Sequence, residues 1–138
     1  MERITKTEYY KGIAAAVNKR STCLRRRYGC VIVKNDEIIA TGYNGSPRGM
    51  ENCCDRGSCK RMNKEHNSGD YSECHSVHAE QNALLSARRQ DMIGATMYLV
   101  GEELNENGDW VAIPSDKCSS CPICNRMISN SGIKEVIV

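Results

Sequence analysis

Nine cysteines in a chain of 138 residues limit what it can fold into more than any other feature. They stand at positions 23, 30, 53, 54, 59, 74, 118, 121 and 124. The number is odd, and Met1 to Lys6 runs into mixed charged sequence without the apolar stretch of a secretion signal, which argues against a disulfide framework. In a reducing compartment, clustered cysteines more often bind metal. The constraint is sharpest over 44–77, a polar segment rich in Gly, Asn and Cys. A loop of that length inside a compact domain has to be pinned by something other than an apolar core, and the cysteines suggest a metal.

The remaining composition is ordinary. Hydrophobic residues make up 40% and charged residues 26%, as in a soluble globular protein. The length suits one domain over 1–138 rather than two. No apolar run approaches the roughly 18 residues that span a bilayer, so no membrane contact is expected and a cytoplasmic location is. The net charge of +2 decides little. Arg25-Arg26-Arg27 reads as a solvated face or, less often, a phosphate site, and without a broad basic stripe no nucleic acid partner is expected.

Tyr10, Ile13, Ala14 and Val17 recur at helical spacing and place a first helix at roughly 5–20. The short apolar runs Cys30–Val33 and Ile38–Thr41 flank the turn residues Lys34-Asn35-Asp36-Glu37 and read as an antiparallel hairpin. A helical pattern runs from 79 to about 90 and is broken by Gly94, after which 96–100 reads as a strand. The polar segment 101–117, which holds Trp110, is a loop or a second small hairpin. A helix over about 122–131 closes on Gly132 as its C-terminal cap, and 136–138 is a last strand. Strands alternating with helices after a hairpin imply an α/β sandwich with a mixed sheet.

Two clusters carry chemistry: His78-Ala79-Glu80 at the start of the middle helix and Cys121-Pro122-Ile123-Cys124 at the start of the last. Cysteines three apart on a helix share a face and can grip one ion. Helix N-termini carry partial positive charge, which favours thiolate there. His78, Cys121 and Cys124 would leave the fourth tetrahedral position of a zinc open to water, the mark of a catalytic rather than a structural site. Glu80 is placed to move protons as general acid and base. His-x-Glu followed by Pro-Cys-x-x-Cys is the signature of zinc deaminases, although Ser120 stands here where the signature has proline. Cys118-Ser119-Ser120-Cys121 also fits Cys-x-x-Cys, and Cys118 could complete a purely structural four-ligand knot. The later pair is preferred, because a structural zinc leaves Glu80 unexplained.

At these residues the chain resembles the deoxycytidylate (dCMP) deaminases. His78-Ala79-Glu80-Gln81-Asn82-Ala83 is similar to the helix start of that family, and Gly42-Tyr43-Asn44-Gly45-Ser46-Pro47-Arg48-Gly49 resembles its GYNGxPxG loop. With Cys121–Cys124 and Ser131-Gly132-Ile133 the match covers most of the chain, and Cys124 precedes its helix as the second cysteine ligand does in the family. The resemblance implies a cytidine-deaminase-like three-layer α/β/α sandwich with a mixed sheet of four to five strands. It implies zinc-dependent hydrolytic deamination of dCMP to dUMP and ammonia, supplying dUMP for thymidylate synthesis. Another cytosine nucleotide or nucleoside (dCTP, deoxycytidine) is the alternative substrate, and tRNA adenosine a more distant one. Asn44 would contact sugar and base, and Ala79 would offer backbone contacts to the pyrimidine. Arg26, Arg27 and the turn around Ser46 are candidates for the 5′-phosphate.

Some members of the family carry a second, structural zinc. Cys23, Cys53 and Cys74 match the places of its ligands, with Cys59 as the fourth and Cys54, His66 and His75 as substitutes. Cys30 lies within a strand and reads as a small buried apolar residue. Relatives are commonly hexamers switched on by dCTP and off by dTTP, so a homo-oligomer with nucleotide effectors is implied. Relatives continue beyond the strand that ends at Val138, so a shortened C-terminal edge is expected, and the segment 101–117 is long for the family.

Overall fold

A computed structural model describes all residues, 1–138. The first helix, α1, spans Lys6–Asn18. Thr5 caps it reciprocally: the Glu8 amide donates to Thr5 Oγ1 (3.1 Å) and the Thr5 amide to Glu8 Oε2 (2.8 Å), a capping box that satisfies two orphan donors. The hairpin follows as β1 (Arg26–Lys34) and β2 (Glu37–Tyr43). Its strands are longer than the apolar runs suggested, because the turn needs only Asn35 and Asp36, both at positive φ (52° and 61°), the conformation of a type I′ hairpin turn. Tyr10 and Lys6 both reach Asp36 and tie α1 to that turn.

Beyond the hairpin come α2 (Cys53–Arg56), α3 (Ala79–Leu85) and α4 (Arg89–Met92). The single helix expected over 79–90 is therefore two. The Ser86 and Ala87 amides bond three residues back, to Ala83 (3.2 Å) and Leu84 (3.3 Å), tightening the last turn of α3. The chain then extends at Arg88 and α4 turns Met92 back into the core. Strand β3 (Thr96–Leu104) outruns its expected end because its far half is paired on both edges: Arg26–Tyr28 lie on one side and β4 (Trp110–Ala112) on the other. Segment 101–117 is thus a hairpin, and its turn is closed by Asn105 Oδ1, which accepts from the Asn107 and Asp109 amides (2.9 Å each). Helix α5 (Pro122–Ser131) ends on Gly132 at φ 89°, and β5 (Glu135–Ile137) pairs in parallel with β3.

The result is a mixed five-stranded sheet in the order β2-β1-β3-β4, with β5 also on β3. Alternation along the strands sorts the core into two layers. Val31, Val33 and Tyr98 pack under α1 with Tyr10 and Ala14. Cys30, Ile32, Met97 and Leu99 face the other way, against Ala79, Ala83, Leu84 and Ile128 of α3 and α5. Two glycines set how closely the layers approach. A Cβ on Gly29 would fall 1.9 Å from the Ala14 carbonyl oxygen, and one on Gly42 would fall 2.3 Å from that of Ala79 and 2.4 Å from the Ala83 nitrogen. In both cases the obstacle is helix backbone, which cannot swing aside.

Gly42→Ala is accordingly expected to lower stability by about 1–3 kcal/mol through overpacking. Gly12→Ala, in α1 with open space around its Cβ, is expected to raise it by about 0.5–1 kcal/mol through helix propensity. Urea unfolding of both variants checks the pair.

Candidate active site

His78 and Cys121 are the N-cap residues of α3 and α5. The His78 amide donates to Gln81 Oε1 (3.0 Å), and the Cys124 amide donates to Cys121 Sγ (3.4 Å), with Pro122 starting α5. The two helix starts meet, so that His78 Nδ1 lies 3.6 Å from Cys121 Sγ and 3.3 Å from Cys124 Sγ. All three ligand atoms lie within 4.8 Å of one another. A tetrahedral zinc with Zn–N and Zn–S bonds of about 2.0 and 2.3 Å spaces its N and S ligands by about 3.6 Å. The donor set therefore fits zinc in both chemistry and spacing. Glu80 is buried beside Cys124. Burial, the Glu80 carboxylate and the Cys121 thiol all push the Cys124 thiol well above its ordinary value, a cost that a cation among these groups removes. Cys118 is apart from this set. It is buried in the core with its Sγ toward the Leu99 carbonyl (4.0 Å), which separates the two Cys-x-x-Cys pairs.

The residues considered for the substrate fall in different places. Asn44 is buried, and its amide is spent largely on the protein. Oδ1 accepts from the Tyr28 amide (2.8 Å) and Ser21 Oγ (2.8 Å), while Nδ2 donates to the Arg26 carbonyl (2.9 Å). Ala79 is fully buried at the start of α3 with its carbonyl against Gly42. Arg26 lies on the face of the sheet that carries α3 and α5. Ser46 lines a small cavity with Cys53, Cys59, Cys74 and His75.

That cavity gathers the loop cysteines. The Cys53 thiol is pushed up by burial and by the neighbouring Cys23 and Cys59, with Cys74 adding to the same effect. The Arg25 amide donates to Cys23 Sγ (3.4 Å) and the Arg61 amide to Cys59 Sγ (3.4 Å), each two residues on. Cys54 points to solvent. His66 lies within electrostatic reach of Arg26 and Arg25. The loop has a further anchor that its composition did not reveal. Arg61 is buried, donates to the carbonyls of Asp70 (2.8 Å), Glu65 (3.1 Å) and Ser68 (2.6 Å), and stacks on Tyr71 at 3.5 Å.

Residues 4–138 match the family model of the cytidine and deoxycytidylate deaminase zinc-binding region. The chain belongs to that family. It is 38% identical over 143 residues to the deoxycytidylate deaminase of Mycobacterium phage D29, across 99% of this chain and 96% of that protein. It is 39% identical over 132 residues to the deoxycytidylate deaminase of Schizosaccharomyces pombe, where it spans 94% of its own length and 35% of the relative's. Among solved structures, the dCMP deaminase of cyanophage S-TIM5 in complex with dCMP and dUMP superposes with a TM-score of 0.64 at 27% identity, covering 97% of this chain and 82% of that one. The three-layer α/β/α sandwich is thus the family's fold as well as the observed one. No helix of this deaminase-family chain is long and apolar enough to cross a membrane.

Sequence reasoning passed over Tyr28 and Glu103, which also face the site side of the sheet. Tyr28 packs against the same core cluster as Ala79 and Cys118. Burial pushes its phenol up, and the hydrogen bond from Arg26 works the other way. The signal available was alternation: Arg26, Tyr28 and Cys30 share one face of a strand. Asn44→Ala would leave the Tyr28 amide and the Arg26 carbonyl without their side-chain partner. It is expected to cost about 1–3 kcal/mol of stability, measurable by denaturant titration independently of any assay of activity.

Proposed function

We propose that this chain deaminates dCMP hydrolytically to dUMP and ammonia, as a single domain over 1–138, with zinc held by His78, Cys121 and Cys124. The observation that carries the reading is the spacing of these three ligand atoms at two facing helix starts, with the buried Glu80 carboxylate beside them. The activity of the relatives supports the choice of dCMP. When bound, zinc makes a water acidic enough to serve as nucleophile near neutral pH. Glu80 would take one proton from the attacking water and pass it to the ring nitrogen, then take the second from the hydroxyl added to the ring carbon and pass it to the departing amine, so that water and dCMP balance against dUMP and ammonia. Its place one residue into α3 fixes it beside the ligand His78, and its burial keeps bulk water from the proton path. Ala79, Asn44, Arg26 and Ser46 are the candidate substrate contacts on the strength of the family resemblance.

A second zinc at Cys23, Cys53, Cys59 and Cys74 is part of the same reading. It is supported by Cys53, Cys59 and Cys74 lining one small cavity, by Cys23 acting electrostatically on Cys53, and by the two backbone amides donating to sulfur. His75, which lines the cavity, is the substitute ligand. A closed four-thiolate site would convert metal binding into order for the loop. A cytoplasmic homo-oligomer, hexameric and tuned by dCTP and dTTP, completes the proposal on the strength of the family resemblance.

Ammonia release measured over dCMP, CMP, dCTP, deoxycytidine and cytidine tests the substrate, with dCMP expected to lead; equal turnover of deoxycytidine would place the protein among nucleoside deaminases. Glu80→Gln should keep the fold and the zinc and lose about 10²–10⁴-fold in turnover. Retention of more than about a tenth of the activity would remove Glu80 from its role.

Elemental analysis of protein purified without chelator should find about two zinc per chain. Cys121→Ser and Cys124→Ser should each lose the catalytic ion, whereas Cys118→Ser should not. Cys59→Ser or Cys74→Ser should lose the other and open the loop to proteases. One zinc per chain, all of it lost with Cys121, would eliminate the second site.

A further inference from the structure

Strand β1 presents Arg26 and Tyr28 to the site face, and β3 places Glu103 and Gly101 directly opposite them. Arg26 Nε (3.2 Å) and Nη2 (3.0 Å) both donate to Glu103 Oε1, and Nη1 donates to Tyr28 Oη (2.8 Å). A guanidinium has five N–H donors, so two remain. The Tyr28 ring lies on Gly101, where a Cβ would fall 2.6 Å from two of its carbons, and the phenol is within electrostatic reach of Glu80 and Cys118. Asn44 clamps the backbone on both sides, through the Arg26 carbonyl and the Tyr28 amide. Arg26 is therefore fixed on the same face as the reacting groups. Cys30, beside Glu80, lies four residues further along β1, about 13 Å at the rise of a strand. The arginine at that distance already holds an anion, Glu103.

We propose that Glu103 determines nucleotide specificity: it shares Arg26 with the substrate's phosphate and penalises nucleotides by the charge of their phosphate chain. The proposal rests on the reading of this site as one for a cytosine nucleotide. The Glu103 side chain is 53% exposed and that of Arg26 20%, so the carboxylate can yield while the guanidinium stays. An exposed ion pair is held weakly, whereas phosphate is a strong, bidentate ligand of arginine. Exchange is therefore easy for a monophosphate. The carboxylate remains nearby, and each added phosphate charge meets its repulsion at short range. Tyr28 is the positioning residue that keeps the fork in place when Glu103 lets go.

The test compares wild type, Glu103→Gln and Tyr28→Phe on deoxycytidine, dCMP and dCDP. The diphosphate is used in place of dCTP so that an effector site for triphosphates cannot enter. In Glu103→Gln the preference for dCDP over dCMP should rise about three- to tenfold, through KM, and the gain should shrink at high salt. In Tyr28→Phe the kcat/KM ratio of dCMP to deoxycytidine should fall about three- to tenfold. Equilibrium binding of dUMP and dUDP to the zinc-loaded proteins reads the same charge preference without turnover, and Glu103→Ala serves if the glutamine variant folds poorly. A Glu103 variant that shifts all three substrates equally, or leaves the diphosphate preference unchanged in both turnover and binding, overturns the proposal. A wild type that turns over none of the three defeats the deaminase reading alone, and the binding ratio then decides on Glu103.

Discussion

The N-termini of α3 and α5 converge on one point, and without a cation between them that convergence is unfavourable. Two thiols, an imidazole and a carboxylate crowd a buried space, and the Cys124 thiol is driven to stay protonated there. The positive ends of the two helices soften the cost for thiolate, but a divalent ion removes it. The rest of the architecture can be read as the means of holding the helix starts in place. Gly42 lets α3 lie directly on β2, so that the Ala79 carbonyl occupies the space a Cβ would take. Pro122 and the Cys121 cap fix where α5 begins. Ser120, which replaces the signature's proline, still anchors the chain leading into α5 through its carbonyl, to which Asn125 Nδ2 donates (3.3 Å).

The sheet's two faces divide the labour. Helix α1 covers one face with an apolar layer that contributes only support, and the reacting groups sit on the other. The division follows from strand alternation and explains the triple arginine, which composition alone presented as a solvated face or, less often, a phosphate site. Arg27 points to the supporting side, stacks on Trp110 at 4.2 Å and pairs with Glu102 at 2.5 Å. Arg26 points to the site side and meets Glu103 and Tyr28. Arg25, before the strand, donates to the carbonyls of Arg61 and Lys64 in the cysteine loop. Three like residues in a row thus have three unrelated roles, because a period of two and a strand boundary run through them.

This is where the sequence was most and least legible. His78, Glu80, Cys121 and Cys124 could be read directly, because a metal site on helix starts demands fixed residue types at fixed spacing. The hairpin, the closing helix with its Gly132 cap and the final strand could be read from turn chemistry and periodicity. The break between α3 and α4 could not. The residues over 86–88 are compatible with helix, and what ends α3 is the need to return Met92 to the core. The extent of β3 was hidden for the same kind of reason, since polar Glu102 and Glu103 are strand residues only because β1 and β4 pair with them.

The cysteine loop shows how a polar segment can be ordered without an apolar core. Ordering it costs on the order of 1 kcal/mol per residue in backbone entropy, and carbonyls turned inward need donors. Arg61 meets that need from the centre: one planar group donates to three loop carbonyls and lays its face on Tyr71. Tyr71 Oη in turn accepts from the Asn67 amide (2.7 Å), and Asn67 is at positive φ. Arg25 grips the same stretch from the sheet side. The cation thus orders residues 61–71, while Cys23, Cys59 and Cys74 lie within electrostatic reach of Cys53 on either side of it. Cys23 stands just before β1, and Cys74 stands on the approach to His78. Metal bound among the four thiols would therefore brace both chain segments that lead into the active site. The loop's order and the placement of Arg26 and His78 would then be coupled through a site that never touches substrate.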